Sequence, residues 1–185
     1  FDFRPDEELT DLCRKADLSE LPGERVLAEF EKLLKGRFPS LGLTFLRTAG
    51  LLKFFPELKA LVGCQQDPVW HSEGDVWVHT VLAVQAATEI LAKDPSCDQL
   101  TVLWAVLCHD LGKPATTSFE DGRVKSKGHE EGGVKPAEDF LGRLRAPGDL
   151  VRKVRALVKR HLAPAHFFGL ARARGDRKDI PQAGP

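Results

Sequence analysis

Methionine is absent from the 185 residues, and the chain begins at Phe1. We therefore expect it to be a piece of a longer or processed protein. The four cysteines, Cys13, Cys64, Cys97 and Cys108, are scattered and form no Cys-x-x-Cys pair. This spacing argues against a zinc finger and is typical of a reduced, cytoplasmic protein.

Long hydrophobic runs are also missing. No run approaches about eighteen uncharged apolar residues and the start shows no signal-peptide pattern, so we predict no membrane contact. The formal net charge is zero, but residues 151–185 carry nine Lys and Arg against Asp176 and Asp179. A solvated helix face accounts for part of this excess, which also suits a phosphate-rich partner.

Apolar residues recur at helical spacing along most of the chain, which predicts an all-α fold. We divide it into an N-terminal helical segment at 1–62, a domain at 63–165 and a basic tail at 166–185. The tail contains little that can pack, so we expect it to be poorly ordered. The one predicted non-helical insert is Lys113–Gly128, in which Asp121-Gly122 is a type I′ turn signal for a small β-hairpin.

The predicted helix boundaries follow from caps and helix breakers. Asp75 caps a helix that extends to about Lys93, and a central helix follows at about 98–110. A further helix opens at His129, and Asp149 caps another after it. Shorter helices are predicted in the N-terminal segment at 6–16, 22–36, 39–49 and 56–62.

Polar residues directly follow the apolar stretch Leu103–Cys108. His109 and Asp110 place an imidazole beside a carboxylate at the end of a buried helix, where both are costly to bury without partners. Such groups suit a divalent ion, although a capping histidine and a surface aspartate are the plain alternative. Lys113 adds a positive charge one turn further on, unless it only interacts with the helix dipole.

Four of the six histidines fall at helix ends or in first turns, where several helices can converge on one point. These four are His79, His109, His129 and His161. The alternatives are a buried core histidine at 79 and a helix-capping histidine at 161. We predict that His71 anchors its loop and that His166 takes no part. The hairpin cations Arg123, Lys125 and Lys127 could join Lys113 in holding a phosphate.

These motifs resemble the HD superfamily of metal-dependent phosphohydrolases. The resemblance is carried by His79, by His109-Asp110-Leu-Gly-Lys113, by His129 and by His161. More closely, the chain is similar to the HD domain of bacterial tRNA nucleotidyltransferases, the CCA-adding enzymes. That similarity is carried by segments 70–80, 107–114, 128–132 and 159–164, and segment 21–58 resembles the helical region that precedes the domain.

The resemblance implies an HD-domain helical bundle and metal-dependent hydrolysis of nucleotide or RNA-end phosphoesters. It implies His79, His109 and Asp110 as ligands of a primary ion, which could be Mn, Ni, Co, Zn, Fe or Mg. His129 and His161 would complete a second metal position or contact the phosphate. Asp110 and Lys113 are the implied catalytic groups. The candidate substrate-binding residues are Lys113, Arg123, Lys125, Lys127 and Arg160.

The nucleotidyltransferase head of that family, with its Gly-Ser phosphate loop and paired aspartates, is absent, so we do not expect this chain alone to add CCA. The superfamily's last metal-ligand aspartate normally lies in a later helix, and only Asp176 or Asp179 could replace it here. A non-catalytic RNA-binding or scaffolding module with the same fold is therefore the alternative, and a regulatory-nucleotide hydrolase is a third. The expected partner is a nucleotide or RNA, tRNA included.

Overall fold

The computed structural model describes residues 5–94 and 96–164. Within these ranges the regular secondary structure is helical apart from one two-stranded hairpin, which confirms the predicted all-α fold with a small β insert. The four cysteines are free thiols. No helix in the described ranges is both long and apolar enough to cross a membrane. The predicted tail at 166–185, with His166, Asp176 and Asp179, lies outside the described residues.

Short helices fill the N-terminal part, as predicted. The Asp6 carboxylate caps the first by accepting a hydrogen bond from the Leu9 N–H at 2.8 Å. Proline starts the third and fourth, where its missing N–H costs nothing. A 3₁₀ turn at Leu51–Phe54, which the sequence did not predict, connects those two. The four helices are α1 (Glu7–Lys15), α2 (Gly23–Leu34), α3 (Pro39–Thr48) and α4 (Pro56–Ala60).

After residue 63, the first two helices each begin at an aspartate N-cap. Asp75 accepts from the Val78 N–H at 2.9 Å, and Asp98 accepts from the Thr101 N–H at 3.3 Å. The helices from there on are α5 (Val76–Leu91), α6 (Gln99–Cys108), α7 (Lys113–Thr116), α8 (His129–Gly132), α9 (Val134–Arg143) and α10 (Gly148–Arg160).

Three local predictions in this part were wrong. The insert is not wholly non-helical, because α7 forms one turn around Pro114, whose fixed φ suits the start of a helix. The helix that opens at His129 is two helices, α8 and α9, separated at Gly133. Asp149 is not the cap of α10 but lies in its first turn, where it pairs with Arg152.

The hairpin has the predicted position and turn. Strands β1 (Thr117–Glu120) and β2 (Arg123–Ser126) pair antiparallel. Asp121 and Gly122 between them have φ values of 53° and 74°. A type I′ turn requires two successive positive φ angles, so the predicted turn is confirmed.

The centre of the core is α6, which packs against both α5 and α10. Trp104 on α6 is fully buried, and its ring centroid lies 5.7 Å from that of Phe30 on α2 and 6.0 Å from that of Phe140 on α9. Aromatic packing therefore joins the N-terminal helices to the rest in one core. The predicted boundary between residues 62 and 63 stays a prediction. The buried position of α6 fixes where His109 and Asp110, at its end, can lie.

Candidate metal centre

Asp110 lies just beyond the end of α6 and is only 1% exposed. Four imidazoles from different elements surround its carboxylate. The Nε2 atoms of His109 and His79 lie 3.2 and 3.8 Å from Oδ2. Those of His129 and His161 lie 3.3 and 3.9 Å from Oδ1. The structure thus brings together the five side chains that the resemblance implied as ligands.

The four imidazoles form two pairs, one on each side of the carboxylate. The Nε2 atoms of His79 and His109 are 3.3 Å apart, and those of His129 and His161 are 3.1 Å apart. Each pair, together with an oxygen of Asp110, forms a group whose ligand atoms all lie within 4.8 Å of one another. Asp110 is therefore shared between two three-residue groups.

The other ring nitrogen of each imidazole, Nδ1, makes a hydrogen bond away from the Asp110 carboxylate. The Nδ1 atoms of His109, His129 and His161 each lie 2.6–2.7 Å from a backbone carbonyl oxygen three residues earlier. Nδ1 of His79 lies 2.6 Å from Oε1 of Glu73. Carbonyl and carboxylate oxygens only accept, so every Nδ1 carries the proton. In the neutral ring, Nε2 then presents a lone pair to the centre.

This arrangement fits a divalent cation. Within each imidazole pair, two Nε2 lone pairs face each other at 3.1–3.3 Å and repel unless a positive charge lies between them. Both carboxylate oxygens of Asp110 are buried without an aligned hydrogen-bond donor, because the Lys113 Nζ contact at 2.8 Å is an ion pair outside hydrogen-bond geometry. Buried polar groups in proteins are normally satisfied. Imidazole nitrogens and one carboxylate suit zinc, manganese, iron, cobalt or nickel.

The pKa directions favour the metal-binding forms of Asp110, His79 and His161, but not that of His129. Burial by itself would raise the pKa of Asp110, but His109, His129 and Lys113 outweigh it and lower that pKa far below its usual range. Burial lowers the pKa of both His79 and His161, which favours their neutral, metal-binding form. Burial also acts to lower the pKa of His129, but the Asp110 carboxylate more than compensates and raises it.

Lys113 starts α7 and is 6% exposed, so it is not a residue of the last turn of α6. Its Nζ donates a hydrogen bond to Oε1 of Gln66 at 2.6 Å and pairs with Oδ2 of Asp110 at 2.8 Å. These two contacts compensate the buried positive charge of Lys113 and fix its ammonium beside the Asp110 carboxylate. The position is suited to balancing negative charge beside Asp110.

A cavity of about 310 Å³ opens over the cluster. Its walls come from the loop before α5, from the second strand of the hairpin and from the end of α10. The lining residues beyond Asp110, Lys113 and the four histidines are Gln66, Asp67, Trp70, His71, Val124, Ser126 and Leu162.

The candidate phosphate-binding cations of the hairpin are held in ion pairs. Arg123 pairs with Asp67 at 2.6 Å, and Lys127 pairs with Glu120 at 2.8 Å. Lys125 pairs with the carboxylates of both Glu120 and Asp121. Arg160, the remaining candidate, is exposed at the end of α10. A role for these four residues in binding substrate stays a prediction.

Glu73 is a residue of the site to which the sequence assigned no role. Its Oε1 accepts from Nδ1 of His79 at 2.6 Å and from Nδ1 of His71 at 3.0 Å. Burial acts to raise the pKa of Glu73, but hydrogen bonds from His71 and His79 prevail and lower it to about 2. The anchoring role predicted for His71 agrees with this contact, although His71 also lines the cavity. An acidic residue in a loop directly before a ligand-bearing helix is the signal that could have indicated Glu73.

The Glu73 contact leads to a first prediction. Replacing Glu73 by glutamine should weaken divalent-metal binding by roughly 10- to 100-fold, because an uncharged amide orients His79 less firmly and lowers its basicity. Titration with Co²⁺, followed by absorbance, measures the affinity. Glu24→Gln is the matched control, since Glu24 makes an exposed pair with Arg145 at 3.4 Å. Equal affinities in both variants would contradict a positioning role for Glu73.

Comparisons with known proteins agree with this geometry. The family model described as "HD domain" matches residues 76–178, and the one described as "Probable RNA and SrmB- binding site of polymerase A" matches residues 2–61. The chain is 36% identical over 140 residues to the Multifunctional CCA protein of Mannheimia succiniciproducens. The aligned segment covers 75% of this chain and 33% of that relative, so the chain spans about a third of the relative's length.

The first of these matches covers more than half of the chain and includes all five residues of the cluster. It also extends past the described residues to include Asp176, and it stops before Asp179. The likeness to a CCA protein agrees with the more specific resemblance that the motifs indicated. The chain belongs to the HD domain family.

Proposed function

We propose that this chain is a metal-dependent phosphohydrolase acting on phosphoesters of nucleotides or of RNA ends. One observation carries the proposal. The buried carboxylate of Asp110 has an imidazole pair facing each of its oxygens, beneath a cavity large enough for part of a nucleotide. HD-family membership supports the same reaction class.

The residues divide into two ligand groups. His79, His109 and Asp110 would hold one ion, and Asp110, His129 and His161 would hold a second. Four imidazoles favour manganese, iron, cobalt, nickel or zinc over magnesium, which prefers oxygen ligands. When bound, such ions lower the pKa of coordinated water and polarise a phosphoryl group.

The chain's own residues complete the site. The Lys113 ammonium, held by Gln66, stabilises negative charge that develops on the phosphoryl oxygens. The hydrogen bonds at Nδ1 keep the imidazoles oriented, so little reorganisation is needed when substrate binds.

The likeness to a CCA protein and the RNA-binding match at residues 2–61 support RNA as the substrate class. We propose that the chain is part of, or related to, a tRNA nucleotidyltransferase of the cytoplasm. Arg160 and other cations of α10 would then contact the RNA backbone, and affinity should fall as salt rises. The alternative is a non-catalytic RNA-binding module, which the match at residues 2–61 favours on its own.

Metal analysis combined with turnover tests the proposal. We expect the purified chain to retain Mn²⁺, Co²⁺ or Ni²⁺ after dialysis and to hydrolyse adenosine 2′,3′-cyclic phosphate. Activity should disappear after chelation and in His109→Ala. A protein that binds tRNA with unchanged affinity in His109→Ala but shows no turnover with any of these ions would instead establish the non-catalytic module.

A further inference from the structure

Trp70 is an exposed aromatic side chain at the rim of the site cavity. It is 75% exposed, whereas Trp77 and Trp104 are 2% and 0% exposed. Trp70 nevertheless lines the same cavity as His71, His79 and Lys113. An indole that is 75% exposed contributes little to the core, so packing does not account for its place at the rim of the cavity.

The backbone around Trp70 is fixed rather than loose. The N–H groups of Trp70 and His71 donate to the carbonyl oxygen of Asp67 at 3.1 and 2.9 Å. The Asp67 carboxylate accepts from the Val69 N–H at 2.9 Å and pairs with Arg123 on the hairpin. This tight turn fixes the backbone of Trp70, and the Asp67–Arg123 pair ties the turn to the hairpin. An aromatic surface held in place binds a flat ligand at a lower entropic cost.

The hairpin adds a second aromatic ring on the cavity side. Phe119 is 75% exposed and pairs directly with Val124 across the two strands. Directly opposed residues project from the same face of a sheet, and Val124 and Ser126 on that face line the cavity. Phe119 therefore lies on the hairpin face that carries two lining residues, although the cavity lining itself includes Trp70 and not Phe119.

We propose that Trp70 is the stacking platform for the nucleobase of the substrate, so that the site selects a nucleotide or RNA end over a phosphoester without a base. The inference rests on the proposed function and deepens it. Aromatic stacking suits any nucleobase, because every base has a π face, and such contacts change affinity by a factor of roughly 5 to 150.

Intrinsic fluorescence tests the placement of the base without requiring turnover. Because the other two tryptophans are buried, quenching by a ligand in solution reports on Trp70. With Zn²⁺ present, adenosine 5′-monophosphate should quench the emission, and ribose 5-phosphate at the same concentration should not. Quenching by both compounds, or by neither, would overturn the proposal.

Kinetics separate stacking from a general loss of structure. Trp70→Ala should raise KM for adenosine 2′,3′-cyclic phosphate roughly tenfold with kcat nearly unchanged, and Trp70→Phe should restore most of the loss. Neither variant should alter KM for methyl riboside 2,3-cyclic phosphate, which has no base. Ile90→Ala, at an exposed position on α5, is the matched control and should change nothing. An equal KM change for both substrates would contradict base stacking.

The two proposals fail separately. If no phosphoester is hydrolysed but adenosine 5′-monophosphate still quenches Trp70 and binds Trp70→Ala more weakly by calorimetry, the stacking platform stands and the hydrolase assignment is wrong. If cyclic nucleotides are hydrolysed with the same KM by Trp70→Ala, the hydrolase assignment stands and the platform is wrong.

Discussion

Replacing Asp110 by asparagine should abolish divalent-metal binding and phosphoester hydrolysis together. Within the described ranges Asp110 is the one acid shared by both imidazole pairs, and an amide offers a single uncharged oxygen to a cation. We expect metal affinity to fall by at least about a thousandfold, more than for a group such as Glu73 that only orients a ligand. Equilibrium dialysis with Co²⁺ measures the affinity. The matched control is Asp121→Asn, because Asp121 is exposed and its positive φ also suits asparagine.

The same substitution should also destabilise the metal-free protein, because it leaves the buried Lys113 ammonium without its counter-ion. Breaking a buried ion pair costs about 3–5 kcal/mol, although Gln66 would retain part of the stabilisation. The double variant Asp110→Asn with Lys113→Met should recover much of the free energy of unfolding and still bind no metal. Denaturant unfolding separates the two effects. Metal binding by a stably folded double variant would contradict the role of Asp110.

Gly112→Ala should destabilise the fold by about 3 kcal/mol, at the upper end of the range for overpacked sites. A Cβ at this position would lie 2.1 Å from the carbonyl oxygen of His129 and 2.5 Å from the N–H nitrogen of Gly133. Both are backbone atoms, so relief requires α8 to move away from α7. That movement would also carry His129 away from Asp110, and metal affinity should fall with stability. Urea unfolding and Co²⁺ titration measure the two consequences.

Gly142→Ala is the matched control for that experiment. Gly142 lies in α9, and a Cβ there would meet no atom within 4 Å. Alanine in a helix interior is favoured over glycine by about 1 kcal/mol, so this variant should be slightly more stable than the parent. If Gly112→Ala unfolded at the same urea concentration as Gly142→Ala, the close approach of the two backbones would be wrong.

Much of the fold follows from local chemistry that is visible in the sequence. Asp75 caps α5 because its carboxylate can reach a free N–H of the first turn, and Asp121-Gly122 form the hairpin turn because both residues tolerate positive φ. The convergence of His79, His109, His129 and His161 was also predictable. Each lies at or near a helix end, and the order of the motifs resembles that of a known family.

Other features depend on contacts between segments far apart in the chain. The need for glycine at 112 comes from the backbone of α8, which no local pattern reveals. The break at Gly133 likewise reflects the approach of Gly112 rather than the helical periodicity around it. Glu73 and Gln66 lie in a loop, and the sequence does not show that folding brings them into contact with His79 and Lys113. Arg123 looked available for phosphate, yet it pairs with a carboxylate 56 positions away.

Anomalous X-ray diffraction from crystals soaked in Mn²⁺ tests the central claim most directly. The account predicts two anomalous peaks next to Asp110. One should mark an ion coordinated by Asp110, His79 and His109, and the other an ion coordinated by Asp110, His129 and His161. Crystals in which the Nε2 atoms of these histidines still face the carboxylate but no anomalous peak appears there would contradict it.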